Sequence, residues 1–364
     1  MRIASRTKII ALLLLSGAVF LTALILPAAA SAWFRNAANA RVARAMSLPV
    51  DASARLAALN DADSQLAQAR AWSDDALVAF AQAREFLARG DAPRAVDTLR
   101  ATGSALQDDF IAQFVWGQAE WQAGDPTAAF ADWRAASALD YFVNQTQRAG
   151  FKHQWQDAEK YARIGVDLAP ERAEMHYYLG DALGYQSADN PEALRELDRA
   201  AELTRDPELL STILSREGEL FAAQGKDRDA LAAFGRARQV APRDARPRIG
   251  YAMTLLHLDP NAEKQSVEIL KQVVSDAPWT IGAHLALAHI AESRGDIQSA
   301  EEWYRAALAR DSNSPDALFA VGLFYVRQNR VDDAKKMLTL ALKYETHVDD
   351  QQAIARALAE LNAR

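Results

Sequence analysis

The stretch RGDIQSAEEWYRAALA, residues 294–309, contains the pattern that decides the fold. Gly295 opens a Gly-Asp pair, Ala300 follows five residues later, and the aromatic Tyr304 follows four residues after that. The same order of residue types returns at an offset of 34 residues in the segment that begins at Gln328. A fixed period of this length predicts a repeat architecture, which must be settled before any other fold reasoning.

Further copies of the pattern occur upstream. Each has a turn residue five positions before an alanine and an apolar residue four positions after that alanine. The turn residues of the five clearest copies are Gly90, Gly124, Gly225, Gly295 and Asn329. The copies therefore extend over most of the chain.

The pattern within one copy indicates two helices. In 315–328 the apolar residues Leu318, Val321 and Tyr325 recur at spacings of three and four, which is one face of a helix. Asn329 interrupts this face, and a second face of the same kind follows in 331–343. Each copy is therefore interpreted as an antiparallel helix pair, with small residues where the two axes approach and large residues filling the space between them.

The copies resemble tetratricopeptide repeats, which have 34 residues and small side chains at positions 8, 20 and 27. The best matches are 281–314 and 315–348, and about eight units cover roughly three quarters of the chain. The resemblance implies an all-α fold, a right-handed α-solenoid of helix-turn-helix units. We expect the array to occupy 76–348, and 349–364 to form a C-terminal capping helix.

The N-terminus lies outside the array. Ile9 to Leu26 is an unbroken run without charge, and the apolar character continues to about Trp33. This is long enough for a transmembrane helix, so 1–33 is interpreted as a membrane anchor that enters the bilayer through residues 9–30. The alternative is a cleavable signal, since 30–32 has the small-x-small form of a cleavage site. Segment 34–75 is expected to be a linker with a degenerate opening repeat.

Membrane orientation is less strongly specified. Three basic residues precede the apolar run and three follow it before the first acid at Asp51, so the count of positive charges is nearly balanced. The short N-terminal tail favours a cytoplasmic N-terminus. The sequence thus predicts a single-pass protein with an extracytoplasmic array, or a secreted or periplasmic protein if the segment is cleaved.

Composition argues against several kinds of chemistry. The chain has 364 residues, a net charge of −7 and no cysteine. The charge disfavours nucleic-acid binding, and the absence of cysteine excludes thiolate catalysis and Cys-ligated metals. Its six histidines include no metal-binding pair at i, i+4, and no phosphate-binding or nucleophile motif is present. We expect no cofactor, no metal, no small-molecule substrate and no enzymatic activity.

The aromatic Tyr178, Tyr304 and Tyr325 match packing positions, and His284 is expected to be packed rather than catalytic.

The family resemblance also supplies candidate groove residues. In tetratricopeptide arrays a concave surface, lined mostly by the first helix of each unit, binds a protein or peptide. Groove side chains in the family often come from repeat positions 2, 5, 9 and 12. These positions give the candidates Thr212, Ser215, Glu219, Leu285, His289, Glu292, Asp316, Phe319 and Leu323. They lack the Lys and Asn that hold a C-terminal carboxylate in chaperone-binding members, so an apolar or basic peptide is the expected ligand.

Three functions are compatible with these features. The leading hypothesis is a membrane-anchored scaffold that binds partner proteins at the cell envelope without catalysis. The second is an accessory or regulatory subunit of an envelope polymer-assembly or glycosyltransferase system. The third is a purely structural, self-associating array. The fold alone does not choose among partners or pathways.

Overall fold

The computed structural model describes residues 27–49, 52–73, 75–345 and 348–362. These residues form nineteen α-helices and two short 3-10 helices and contain no strand. They divide into two compact units, of which the first ends at Asp140 and the second begins at Tyr141. The predicted all-helical fold is confirmed over the part of the chain that the structure describes.

The first unit contains six helices. They are α1 at 27–46, α2 at Ser53–Trp72, α3 at Ala76–Arg89, α4 at Ala92–Arg100, α5 at Phe110–Ala123 and α6 at Pro126–Ala135. One apolar cluster joins α1, α2 and α3 through residues such as Val42, Leu66 and Val78, and a second joins α3, α4 and α5 through Leu99 and Val115.

Thirteen helices form the second unit, with the first two residues of α7 preceding its boundary. They are α7 at Leu139–Phe151, α8 at Trp155–Leu168, α9 at Ala173–Gln186, α10 at Pro191–Leu203, α11 at Pro207–Ala223, α12 at Asp227–Val240, α13 at Ala245–Leu258, α14 at Glu263–Asp276, α15 at Ile281–Ser293, α16 at Ile297–Arg310, α17 at Pro315–Arg327, α18 at Val331–Tyr344 and α19 at Val348–Asn362. Ile354 and Leu361 of α19 are buried against the last pair, α17 and α18.

The helices from α3 to α18 form eight successive pairs, as the repeat pattern predicts. The predicted turn residues all have a positive φ, for example 76° at Gly295 and 57° at Asn329. The Gly-Asp pair occurs in the turn between two helices for a physical reason. The glycine ends one helix in the left-handed conformation, and the aspartate then caps the next helix, as Asp296 does by accepting the N–H of Ser299 at 3.1 Å.

Small side chains allow the two helices of a pair to approach closely. At Gly180 of α9, an added Cβ would lie 2.8 Å from the backbone oxygen of Ala193 in α10, and Ala193 is itself completely buried. The equivalent glycine of α17, Gly322, would place its Cβ 2.7 Å from the side chain of Leu338. Any larger residue at these positions would push the helices apart.

The predicted membrane span lies mostly outside the described residues. Within the ranges that the structure describes, no helix combines the length and the apolar character needed to cross a bilayer.

A carboxylate of α11, that of Glu217, is buried next to a residue of α12. Glu217 is 3% exposed, and its Oε2 lies 3.8 Å from the guanidinium of Arg236. Burial raises the pKa of Glu217 to about 7; the charge of Asp198 adds to this effect and that of Arg236 opposes it. The unfolded carboxyl titrates near 4.5, below the pKa of about 7 in the folded protein. Ionisation of Glu217 therefore destabilises the folded state as the pH rises from about 4.5 to about 7.

Replacing Gly180 with alanine should destabilise the second unit, because the backbone oxygen of Ala193 cannot yield without separating α9 from α10. We expect a net loss of about 1–2 kcal/mol in the free energy of unfolding, despite the better helix propensity of alanine. The matched control is Gly235→Ala in α12, where the added Cβ meets only the Tyr251 ring at 3.8 Å and a gain of up to about 1 kcal/mol is expected. Urea denaturation followed by circular dichroism measures both, and a gain in both variants would contradict the packing argument.

Replacing Glu217 with glutamine should remove part of the pH dependence of stability. The wild type should lose up to about 3 kcal/mol from Glu217 between pH 4, where the carboxyl is neutral in both states, and pH 8, where it is charged in both. The variant should therefore match the wild type at pH 4 and exceed it at pH 8. Denaturation midpoints across this range test the effect, with Glu208→Gln, an exposed site on the same helix, as the control. A constant difference between variant and wild type would refute it.

Candidate functional site

The candidate groove residues of α11 are largely engaged within the protein. Ser215 is completely buried and donates its hydroxyl hydrogen to the carbonyl oxygen of Ser211 at 2.7 Å. Thr212 donates to the carbonyl oxygen of Glu208 at 2.9 Å. Glu219 is half-buried and accepts two hydrogen bonds from Arg246. Ser215 therefore offers no surface to a partner in this conformation, a placement that a fixed repeat position could not reveal.

The candidates of α15 differ in exposure. Leu285 is half-buried against the C-terminal core, and His289 is exposed. Glu292 accepts hydrogen bonds from Arg327 of α17 at 2.6 and 2.8 Å and from the Tyr304 hydroxyl at 3.0 Å. Burial opposes ionisation, but these hydrogen bonds prevail and lower the pKa of Glu292. Glu292 thus joins α15 to α17.

The candidates of α17 form an apolar and acidic strip. Phe319 is half-buried against the same core as Leu285, and Leu323 is also half-buried. Asp316 is exposed, yet burial of its carboxyl and the charges of Glu345 and Asp350 raise its pKa. The structure therefore brings the α15 and α17 candidates together, whereas those of α11 lie beside α13.

A run of alternating charges crosses the first helices of three successive pairs. We call Asp181 of α9, Arg216 and Glu219 of α11, and Arg246 of α13 the charge ladder. Arg216 Nε lies 2.7 Å from Asp181 Oδ1, and Arg216 Nη1 donates to Glu219 at 3.1 Å. Arg246 donates to both oxygens of Glu219, at 2.7 and 2.9 Å. The ladder has two positive and two negative members, so it joins the three helices without leaving a net charge.

Aromatic rings extend this ladder toward α8. Tyr185 stacks on Trp155 with ring centroids 4.0 Å apart and planes 6° apart. The guanidinium of Arg216 lies 3.9 Å from the centroid of the Tyr185 ring. Since both groups cannot occupy one side of the ring at these distances, Trp155 and Arg216 cover opposite faces of Tyr185. Nearby, burial raises the pKa of Tyr177 to about 12, so its hydroxyl stays neutral.

An open cleft of about 480 Å³ lies beside these rings, between α7, α8 and α9. Its main lining residues, which define the aromatic cleft, are Gln147, Phe151, Trp155, Tyr177, Tyr178 and Tyr185. Gln147 donates to the Tyr178 hydroxyl across one wall. Phe151 is 85% exposed, which is unusual for a large apolar ring. Clefts that bind ligands combine apolar walls with a few fixed polar groups in this way.

The chemistry available in this cleft is recognition by contact. The cleft places aromatic faces next to hydrogen-bonded polar groups, and its one carboxylate, Asp181, is held by Arg216. Over the ranges described above, no group of three or more potential metal ligands occurs.

The sequence-based reasoning missed this cleft. Tyr178 matches a packing position of the repeat, yet it lines the cleft, whereas Tyr304 and Tyr325 are buried as predicted. His284 is also buried as predicted, with Nδ1 2.9 Å from the carbonyl oxygen of Thr280. The available sequence signal was His153, which stands five residues before Ala158 at the turn position that the clearest copies fill with glycine or asparagine. In the structure His153 has a φ of 55°, and exposed Phe151 ends the preceding helix.

Comparisons with known proteins agree with this architecture. Two family models, both described as tetratricopeptide repeat, match residues 80–140 and 291–361. No curated protein sequence matches the chain. The matched segments support the tetratricopeptide family, whose members generally act as non-catalytic scaffolds, and the repeats indicate a scaffold for protein–protein interaction.

Solved structures provide a comparison of the fold. The human IFIT1 dimer with PPP-AAAA is 17% identical, with a TM-score of 0.50 over 84% of this chain and 77% of that chain. TTC0263, a thermophilic TPR protein of Thermus thermophilus, is 22% identical, with a TM-score of 0.44 over 51% of this chain and 99% of that chain. Yeast Tom70 is 13% identical, with a TM-score of 0.48 over 80% of this chain and 65% of that chain. At such identities the likeness concerns the fold alone.

Replacing Arg216 with methionine should destabilise the second unit, because it leaves the partly buried carboxylate of Asp181 without its closest cation. We expect a loss of about 2–3 kcal/mol, below the usual cost of breaking a fully buried pair because the Asp181 side chain is 22% exposed. Adding Asp181→Asn should recover part of this loss. The control is Arg238→Met, which removes a comparable stacking contact, 4.2 Å from the centroid of the Tyr251 ring. The loss of stability in this variant estimates the contribution of stacking alone, without the ion pair to Asp181. Urea denaturation of Arg216→Met, Asp181→Asn, the double variant and Arg238→Met measures the coupling, and strict additivity of Arg216→Met and Asp181→Asn would argue against the ladder.

Proposed function

We propose that this chain is a membrane-anchored tetratricopeptide scaffold that binds a partner protein or peptide at the cell envelope, without catalysis of its own. The observation that carries the proposal is the aromatic cleft, which adjoins a neutral, internally bonded charge ladder on the first helices of the second unit. An interaction scaffold needs such a preformed surface, because rigid side chains lose little entropy on binding.

The cleft favours an apolar segment as the ligand. The hydroxyl of Tyr178 already accepts from Gln147, and Asp181 is already paired with Arg216. A ligand that offered only charges would have to displace these partners, whereas an apolar side chain would bury exposed ring surface, notably that of Phe151, without doing so. Aromatic residues at the centre of an interface often supply most of its binding energy.

A second contact area is expected on α15 and α17. Leu285, Phe319 and Leu323 provide half-buried apolar surface there, and Asp316 provides an exposed carboxylate. An apolar segment carrying a basic residue would match this strip, which combines the two alternatives, apolar or basic, that the repeat positions leave open. The alternative to this scaffold is an accessory or regulatory subunit, whose partner is the enzyme of an envelope polymer-assembly or glycosyltransferase system.

The anchor part of the proposal is supported by the uncharged run from Ile9 to Leu26. In this proposal the array lies outside the cytoplasm and remains attached to the membrane through residues 9–30. The alternative, in which the segment is removed as a signal, gives a free secreted or periplasmic scaffold with the same binding surface.

Replacing Phe151 with serine should reduce partner capture without unfolding the protein, because this ring is exposed and contributes little to the core. The tagged full chain is purified from the membrane fraction of its source cells, and co-purifying proteins are quantified by mass spectrometry. We expect at least about a tenfold loss of the specific partner, the effect of a contact worth about 1.4 kcal/mol or more. The matched control is Trp279→Ser, an aromatic ring that is 72% exposed outside the cleft and should leave capture unchanged.

The same experiment tests the second area. Phe319→Glu on α17 should also reduce capture, whereas Leu340→Glu on α18 should not, although both positions are half-buried against the same core. Equal capture by wild type, Phe151→Ser and Phe319→Glu would reject the first-helix surface as the binding site.

A further inference from the structure

The exposed large apolar residues of the first unit are concentrated at one end of its helices. Two contacts place the beginning of α1 beside the α2–α3 connection. The Ser31 hydroxyl donates to the carbonyl oxygen of Ser73 at 3.4 Å, and Arg35 pairs with Asp75 at 3.9 Å. This end therefore contains the start of α1, the end of α2 and the start of α3.

Helices α4 and α5 continue the same end. A groove is lined jointly by Arg70 in the last turn of α2, Asp75 of the α2–α3 connection, Asp97 of α4, and Ala101 and Ala105, which follow α4. Helix α5 begins shortly afterwards at Phe110, and it packs against both α3 and α4. We call this the proximal end of the first unit.

The opposite end is defined by Arg55 at the start of α2. Its guanidinium donates to the carbonyl oxygen of Leu48, just after α1, at 3.2 Å and to that of Ala88, near the end of α3, at 2.9 Å. The fourteen residues of α3 separate the two ends by about 21 Å. Residues at the two ends therefore meet different surroundings.

Five of the seven large apolar side chains exposed in the described part of the first unit lie at the proximal end: Trp33, Trp72, Leu77, Phe110 and Ile111. Leu56 and Met46 lie at the other end. Exposed apolar surface gathered in this way marks an interaction site. It comes from four helices, α1, α2, α3 and α5, so it belongs to the end of the unit and not to one helix.

The chain that precedes α1 identifies the occupant. The uncharged run ends at Leu26, and α1 is described from residue 27 onward, at the proximal end. If residues 9–30 span the membrane, Trp33 follows the span by three residues, or about 4.5 Å along a helix. Tryptophan is enriched at the boundary between hydrocarbon and water, where its ring is buried and its N–H stays hydrated.

We propose that the proximal end of the first unit rests on the membrane, with Trp33, Trp72, Leu77, Phe110 and Ile111 inserted among the lipid headgroups. The proposal rests on the proposed anchor and adds to it that the folded unit itself contacts lipid. The anchor then does not act as a flexible tether, because several helices fix the unit against the bilayer.

The charges at this end limit how the contact forms. Asp75 pairs with Arg35, Asp97 pairs with Arg100, and the carboxylate of Asp109 accepts the N–H of Ala112. Since each of these carboxylates must remain hydrated or bonded, the end reaches the headgroup layer and not the hydrocarbon core. Arginines do not exceed carboxylates here, so the attraction is apolar, and anionic lipids are not required.

Site-directed spin labelling tests the proposal, and the chain offers a clean background because it contains no cysteine. The full chain is reconstituted into phosphatidylcholine vesicles as Trp72→Cys, Ile111→Cys or the control Leu56→Cys, each with a nitroxide on the new thiol. The native side chains are 49%, 67% and 56% exposed, so the labels differ in their position and not in their general accessibility. Collision of each label with oxygen, which dissolves in lipid, is compared with collision with a water-soluble nickel complex.

We expect labels at positions 72 and 111 to lose collisions with nickel and gain collisions with oxygen when vesicles are present, while the label at position 56 stays accessible to nickel. Labels at 72 and 111 that behave like the label at 56 would overturn the proposal. Labels shielded from both reagents would also overturn it, because they would indicate a protein partner or a second copy at this end.

Vesicle flotation separates this proposal from the anchor itself. Chains that float with the vesicles and resist alkaline carbonate are inserted, and aqueous labels at 72 and 111 in such chains would reject lipid contact while leaving the anchor intact. Chains that fail to float would reject the anchor and the lipid contact together.

Discussion

The architecture depends on how closely the two helices of each pair approach. At Gly180 the partner backbone lies so near that even a methyl group would meet the oxygen of Ala193 at 2.8 Å. This contact fixes the distance between α9 and α10, and the repeat reproduces it with Gly322 and Leu338 in the last pair. The first helices of three successive pairs also pack side by side, since α11 contacts both α9 and α13. The charge ladder needs this arrangement, because Arg216 of α11 must reach Asp181 of α9 and Arg246 of α13 must reach Glu219 of α11.

The ladder explains how a surface with many charged groups can remain open to an apolar ligand. Asp181 is partly buried, and burial alone would favour its neutral form. The charge of Arg216 opposes this effect without cancelling it, so the pKa of Asp181 stays raised. The same guanidinium covers one face of Tyr185 while Trp155 covers the other. One cation thus satisfies a carboxylate and immobilises an aromatic ring. The consequence is a cleft whose polar groups are bonded to each other and whose apolar rings are held in place, which is the arrangement that recognition requires.

The repeat pattern was sufficient to predict the helices but not the binding surface. Gly295 and Asn329 could be identified as turn residues because only a few residue types adopt a positive φ easily, and a fixed period repeats that requirement. The groove positions could not be assigned in the same way, because exposure depends on the neighbouring pair. Ser215 is buried by packing around α11, and Tyr178 lines a cleft to which α7, α8 and α9 all contribute residues. Such effects involve residues from three or more helices, which a spacing rule within one unit does not contain.

The two units use exposed aromatic rings in different settings, and the setting determines the ligand that each would bind. Around the aromatic cleft, Phe151 stands beside rings fixed by stacking and ion pairing, so the surface has a defined shape that can discriminate between protein partners. At the proximal end of the first unit, Trp72 and Ile111 extend from the ends of separate helices, and neither side chain lines the groove at that end. A bilayer interface accepts such an uneven row because lipid headgroups adapt to any outline, whereas a protein partner would need a complementary shape. The physical difference between rings gathered in one cleft and apolar side chains spread over several helix ends is therefore the reason for proposing a protein ligand for one unit and lipid for the other.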